Sequence, residues 1–223
     1  MITNNDIQEI YQIYLRNNNF KYLNKCVGID QRKNTKMWTW DGKDFPRVAA
    51  MLDLQEYVEK YNIKSENMLL FYENEPEMEY IPHKNKYIYD YEKNEKYDLH
   101  QLEIPDKDYD FSMLCQTLEH LYDPLMCVKN IYKYLKDDSY FYINVPTINI
   151  QHMLPYNFYT GFTPVGLGCL LKNAGFKVLE IGHWGNFSYL NNLFLNKQWS
   201  DYNSINLIND FTIPCQTWAL AKK

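Results

Sequence analysis

Two histidines, His120 and His152, are the side chains whose type and setting best suit proton transfer. Imidazole changes charge near neutral pH, so a histidine held beside a reacting hydroxyl can take its proton as a new bond forms. His120 lies in residues 116–124, Gln-Thr-Leu-Glu-His-Leu-Tyr-Asp-Pro, directly beyond an apolar run at 109–115 that reads as a buried strand. His152 belongs to residues 149–159, Asn-Ile-Gln-His-Met-Leu-Pro-Tyr-Asn-Phe-Tyr, where Tyr156, Asn157 and Tyr159 add stacking faces and hydrogen-bonding groups. The plain alternatives are a structural loop role for His152 and helix-start capping for Glu119.

These residues need elements to hold them. Ile7, Ile10, Tyr11 and Tyr14 recur at helical spacing over residues 6–16, and Pro46 starts a second helix that runs to about Tyr61. Between them, residues 24–45 are polar and irregular and contain Arg32, Trp38 and Trp40. Apolar runs at 67–72, 86–91, 109–115, 140–145, 176–181 and 214–221 read as strands, with a weaker one at 97–102. Continuous apolar runs, rather than strict alternation, fit parallel strands covered on both faces. Two helices are well signed. Asp123 caps one and Pro124 occupies its first position, with Leu125, Val128, Ile131 and Leu135 as its buried stripe. Thr163 caps the other, Pro164 starts it and Gly175 stops it. The alternation predicts a three-layer, doubly wound α/β sandwich, whose ligands sit beyond the carboxyl ends of the strands.

Composition narrows the partners. The chain of 223 residues is 46% apolar and 17% aromatic, with 21 tyrosines and a net charge of −5. Aromatic faces suit sugar rings or a purine base, although amphipathic packing at a rim uses tyrosine equally well. With arginine only at positions 16, 32 and 47 and no basic patch, a nucleic-acid partner is not expected. The cysteines at 26, 115, 127, 169 and 215 are odd in number and without a Cys-x-x-Cys pair, which predicts free thiols in a reducing compartment. Neither a leader nor a membrane span is evident, so the expected location is the cytoplasm.

The strand at 109–115, the Leu-Glu-His-Leu segment with its Asp-Pro helix start, the Pro146 strand end and residues 162–176, Phe-Thr-Pro-Val-Gly-Leu-Gly-Cys-Leu-Leu-Lys-Asn-Ala-Gly-Phe, together resemble the class I S-adenosylmethionine (SAM) dependent methyltransferases. The likeness is to the branch that acts on sugars and surface glycans. It spans roughly residues 67–186 and implies a Rossmann-like fold, mostly parallel with an antiparallel last strand. Residues 1–62 would form a helical cap of the same domain and 63–223 the Rossmann-like methyltransferase domain. It also implies a cofactor site at Tyr72, Glu73, Asp90, Tyr91, Asp98, Leu99, His100, Gln116, Thr117 and Leu118, with Asp90 on the ribose hydroxyls and Glu73 on the methionine ammonium. The acceptor, a sugar or glycan, would meet Tyr156, Asn157, Tyr159 and Trp184, with His120 ahead of His152 as base, although tight packing under the long excursion after its strand is the plainer role for Trp184. No metal ligand is assigned, although an acid such as Glu119 next to a histidine coordinates a divalent ion in some relatives.

One departure is plain. No glycine occurs between Gly42 and Gly161, so the glycine-rich SAM loop is replaced by Tyr-Glu-Asn-Glu-Pro at 72–76. The methionine carboxylate then needs a cation from elsewhere, Arg47 or Arg32. The departure also supports an alternative reading, an inactive methyltransferase-like module that binds a glycan or protein. For a sugar-nucleotide transferase on a similar sandwich nothing specific speaks.

Overall fold

A computed structural model describes residues 1–18, 45–73, 75–90, 97–106, 108–200 and 208–223. Arg32, Trp38, Trp40, Cys26 and Tyr91 lie outside the described residues. The elements are α1 (Asn4–Asn18), α2 (Phe45–Tyr61), β1 (Ser65–Leu70), β2 (His83–Ile88), β3 (Tyr109–Cys115), α3 (Pro124–Tyr134), β4 (Leu135–Pro146), α4 (Pro164–Ala174), β5 (Lys177–Trp184), α5 (Phe187–Asn196) and β6 (Gln216–Lys222). The strands form one sheet in the order β2-β1-β3-β4-β6-β5. β2, β1, β3 and β4 pair in parallel, and β6 runs antiparallel to both β4 and β5. This is the expected mixed, doubly wound Rossmann-like sheet.

The sheet buries both faces because successive side chains of a strand point to opposite sides. Leu69, Phe141, Ile143 and Ile181 face one way and pack with Ile10 of α1, Val128 and Ile131 of α3 and Leu167 and Leu171 of α4. Met68, Leu70, Tyr142, Trp184 and Trp218 face the other way and pack with Val48, Leu52 and Leu54 of α2 and Leu193 of α5. The two N-terminal helices therefore lie on opposite faces of the sheet. α2 is also tied by polar bonds: Trp218 Nε1 donates to Asp53 Oδ2 at 2.9 Å and the Tyr142 hydroxyl to the Ala50 carbonyl at 3.1 Å. A Cβ at Gly182 would meet Trp218 Nε1 at 2.1 Å, so this contact requires glycine.

The helix signals hold. Asp123 Oδ1 accepts from the Met126 amide at 3.0 Å, and Thr163 Oγ1 from the Gly166 amide at 3.1 Å. Gly175 adopts φ +116°, and the amides of Gly175 and Phe176 return to the carbonyls of Lys172 and Leu171. Between β1 and β2 the described residues form a short 3-10 turn, Pro76–Tyr80, and no full helix.

Three elements differ from expectation. The weak strand at 97–102 is instead a 3-10 turn, Leu99–Gln101. Asp98 caps it, and Asn130 of α3 donates to the carbonyls of Leu99 and His100, so side chains take up groups that a strand would have offered to a neighbour. β4 begins at Leu135 rather than 140, with a break in register after its first pair and a positive φ at Asp138. The long excursion after β5 contains α5, whose N-cap is Asn186, accepting from the Tyr189 amide at 2.8 Å.

Candidate active site at the carboxyl ends of the strands

Two polar clusters occupy the ends of β1, β3 and β4. The first is built around Arg47, which α2 carries to the strand ends. Its Nε and Nη2 donate to the two oxygens of Glu77, each at 2.8 Å, and Nη2 also donates to Glu75 at 2.8 Å. Asn144, near the end of β4, donates to Glu77 at 2.8 Å and accepts from Gln116 Nε2 at 2.7 Å. Gln116 itself adopts φ +50° directly after β3, and its amide donates to the Asn144 carbonyl. Such a backbone in a residue other than glycine costs energy and persists only where neighbours impose it.

Charge in this cluster balances through protonation. Burial opposes ionisation of Glu77, but Arg47 beside it prevails and holds its carboxyl below the ordinary range. Burial, then the charge of Glu77, pushes Glu75 up to about 8. At neutral pH the buried guanidinium thus faces one carboxylate and one carboxylic acid. Cys115, at the end of β3 beside them, has its thiol pushed well up by burial.

The second cluster joins Glu119, His120 and His152. The 3-10 turn Leu118–His120 follows β3, and the loop beyond β4 folds back over it. The Glu119 carbonyl accepts from the amides of Phe158 and Tyr159 at 3.0 and 3.1 Å, which fastens that loop. His120 Nδ1–H donates to the Tyr156 carbonyl at 2.5 Å and His152 Nδ1–H to the Ile150 carbonyl at 2.9 Å. A carbonyl can only accept, so both rings keep Nε2 as a lone-pair atom. The rings meet edge to face with centres 4.7 Å apart. Burial lowers the pKa of His120, and the neighbouring His152 adds to this against the opposing Tyr156 carbonyl.

Glu119, expected from sequence as a helix-start cap or as an acid that holds a divalent ion in some relatives, does not act as a cap. It is 1% exposed, caps nothing through its side chain, and neither carboxylate oxygen has a hydrogen-bond partner. Burial pushes its carboxyl up to about 7. His120 Nε2 lies 3.8 Å from Glu119 Oε1. The only cue in sequence was its place next to His120.

The remaining residues separate into those near the strand ends and those used in packing. Tyr72 and Glu73 follow β1, half-buried and exposed respectively, and Asp90 is buried just beyond β2. Thr117 is buried with its hydroxyl donating to the Cys115 carbonyl at 2.9 Å, while Leu118 and Leu99 belong to the core. Asp98 Oδ1 accepts from both the amide and the ring of His100. The His100 ring also accepts from the Asp123 amide at 3.2 Å and stacks on Tyr122 at 3.7 Å, so its side chain locks the start of α3 and is not offered to a ligand. Trp184 is a correction too. It is fully buried, edge-on to Tyr189, so its ring fills the core and cannot meet an acceptor. Tyr156 and Tyr159 are exposed, Asn157 is half-buried, and Tyr122, Phe158 and Trp199 complete an exposed aromatic rim around the histidines. Trp199 meets His152 edge-on at 5.9 Å.

Comparison with known proteins agrees with this architecture. The model of a family described as a methyltransferase domain matches residues 14–181. Among solved structures, the chain is similar to the N-methyltransferase NodS from Bradyrhizobium japonicum WM9 in complex with S-adenosyl-L-homocysteine (12% identity, 90% of this chain and 98% of that one, TM-score 0.50). It is likewise similar to the 1,6-didemethyltoxoflavin-N1-methyltransferase of Burkholderia thailandensis (11% identity, 100% and 91% of the two chains, TM-score 0.50). No curated protein matches the sequence. No helix among the described residues is long and apolar enough to cross a membrane.

Proposed function

The chain belongs to the methyltransferase-domain family and is a SAM-dependent methyltransferase, and from that premise we propose that it methylates a hydroxyl of a sugar, either nucleotide-linked or at the end of a surface glycan. The observation that carries this reading is the exposed aromatic rim of Tyr122, Tyr156, Phe158, Tyr159 and Trp199 around the paired histidines. Aromatic faces receive the apolar faces of sugar rings, and a hydroxyl acceptor needs a base where its proton leaves. Among the described residues, the thiols of Cys115, Cys127 and Cys169 form no disulfide, which suits a reducing compartment such as the cytoplasm.

The residues at the strand ends suit both halves of the cofactor. Asp90, just beyond β2, has a carboxylate suited to accept from the vicinal ribose hydroxyls, with Gln116 and Thr117 as further lining. In place of a glycine cradle, Arg47 offers its positive charge to the α-carboxylate of the methionine half, and exposed Glu73 offers its carboxylate to the α-ammonium. Tyr72 and Glu73 flank that end. When bound, SAM supplies an activated methyl group on its sulfonium.

The chain's own groups would do the rest. The rim holds the acceptor ring, and Asn157 offers it a hydrogen bond. His120 Nε2 takes the hydroxyl proton while Nδ1–H stays on the Tyr156 carbonyl, and the Glu119 carboxylate 3.8 Å away stabilises the imidazolium that results. His152 lies beside His120 as the second candidate base. Incubation with methyl-labelled SAM and a panel of nucleotide-sugars, glycans and amines tests the reading. Label on a sugar oxygen is expected, whereas label confined to amine nitrogen would replace the sugar hydroxyl with an amine acceptor.

A further inference from the structure

We propose that Glu119, His120 and His152 form a binding site for a divalent transition-metal ion. One ligand atom from each residue lies within 4.8 Å of the other two, and the Glu119–His120 pair is already at 3.8 Å. Ligands at about 2.1 Å from a shared ion sit about 3–3.5 Å apart, so only a small inward movement closes the set. The loop carrying His152 can supply it, because that residue is half-buried and reaches the cluster from the surface.

Orientation argues for the ion independently of distance. Each histidine gives Nδ1–H to a backbone carbonyl, Tyr156 for one and Ile150 for the other, which leaves Nε2 of each ring with the lone pair, that of His120 3.8 Å from Glu119 Oε1. A second partner on the far ring nitrogen is how metal-bound histidines are fixed in tautomer and direction. Glu119 adds a further observation: its carboxylate is buried with both oxygens unpartnered, in the same space. A buried carboxylate without partners is costly, and a cation between it and two imidazoles removes that cost.

The ligand set selects the ion. Two imidazoles and one carboxylate suit zinc, manganese, iron(II) or cobalt(II), whereas magnesium and calcium prefer all-oxygen sites. Three protein ligands leave positions open toward the aromatic rim, where water or a hydroxyl can bind. An ion held there would occupy His120 Nε2 and make a bound hydroxyl more acidic, its proton then passing to solvent water instead of to His120. That consequence rests on the hydroxyl-methylation reading; the binding itself does not.

The test is titration of tag-free, chelator-stripped protein with Co2+, followed by its visible d–d absorption and by competition with Zn2+ and Mg2+. Saturable binding of one Co2+ per chain is expected, displaced by Zn2+ but not by equimolar Mg2+. His152→Ala, on the surface loop, and Glu119→Gln, which keeps side-chain size, should each weaken Co2+ binding at least tenfold while still unfolding in one cooperative thermal transition. Absence of saturable binding would overturn the site, as would equal affinity in the wild type and both variants, or Mg2+ competing as well as Zn2+. Because the readout is metal absorption, loss of the site and failure to methylate a sugar are separable results.

Discussion

His120 and His152 come from different strand ends, one after β3 and one after β4, and meet edge to face at 4.7 Å. Each donates Nδ1–H to a backbone carbonyl of the same loop, so the loop sets the proton position on both rings. The pair therefore keeps both Nε2 atoms as lone-pair nitrogens.

His120→Ala should cut methyl transfer by about 10²–10⁴-fold, the usual contribution of a positioned base, and leave SAM affinity unchanged. In the wild type, kcat should fall as pH drops through a value below the ordinary imidazole range, because burial favours the neutral, basic ring of His120. Steady-state rates across pH check both. Full activity of His120→Ala would move the base to His152.

Glu119 should make the metal-free protein less stable as pH rises. Its carboxyl is raised to about 7 by burial, so the folded state holds a proton that the unfolded chain releases near 4.5. Stability from this group is present in full below about 4.5 and is lost between there and about 7, by roughly 2–4 kcal/mol. Denaturant titrations of the wild type and Glu119→Gln should converge at acid pH, with the variant the more stable above pH 7.

Arg47→Met should destabilise the fold by about 3–5 kcal/mol, because it strands the Glu77 carboxylate, which is fully buried. Urea unfolding at neutral pH measures the loss. Adding Glu77→Gln to that variant should recover a large part of it, since the uncompensated charge is then gone. If Arg47 also meets the methionine carboxylate, neither variant should regain SAM affinity.

The framework was legible because strong local signals agreed with one another. Apolar runs marked six strands, Asp123 and Thr163 capped their helices as read, and Gly175 ended α4 in the left-handed region. His120 and His152 stood out by residue type, and the sequence placed both after strands. What escaped depended on long-range partners. The turn at Leu99–Gln101 takes its shape from Asp98 and Asn130, whose role no local periodicity reveals. Trp184 read as a residue near the acceptor edge because only the folded sheet buries it. Arg47 was considered as a cofactor cation, but its pairing with Glu75 and Glu77 joins α2 to a turn about thirty residues away. The burial of Glu119 depends on the loop after β4, whose amides at Phe158 and Tyr159 donate to its carbonyl.

Calorimetric titration with SAM and with its demethylated product tests the central claim most directly. Both ligands should bind saturably to the wild type despite the missing glycine loop. Asp90→Ala should weaken each by about 1.5–3 kcal/mol, the range for a hydrogen bond to a charged group, with the fold intact. No binding of either ligand to the folded wild-type protein would contradict the account, and unchanged affinity in Asp90→Ala would remove that residue from the site.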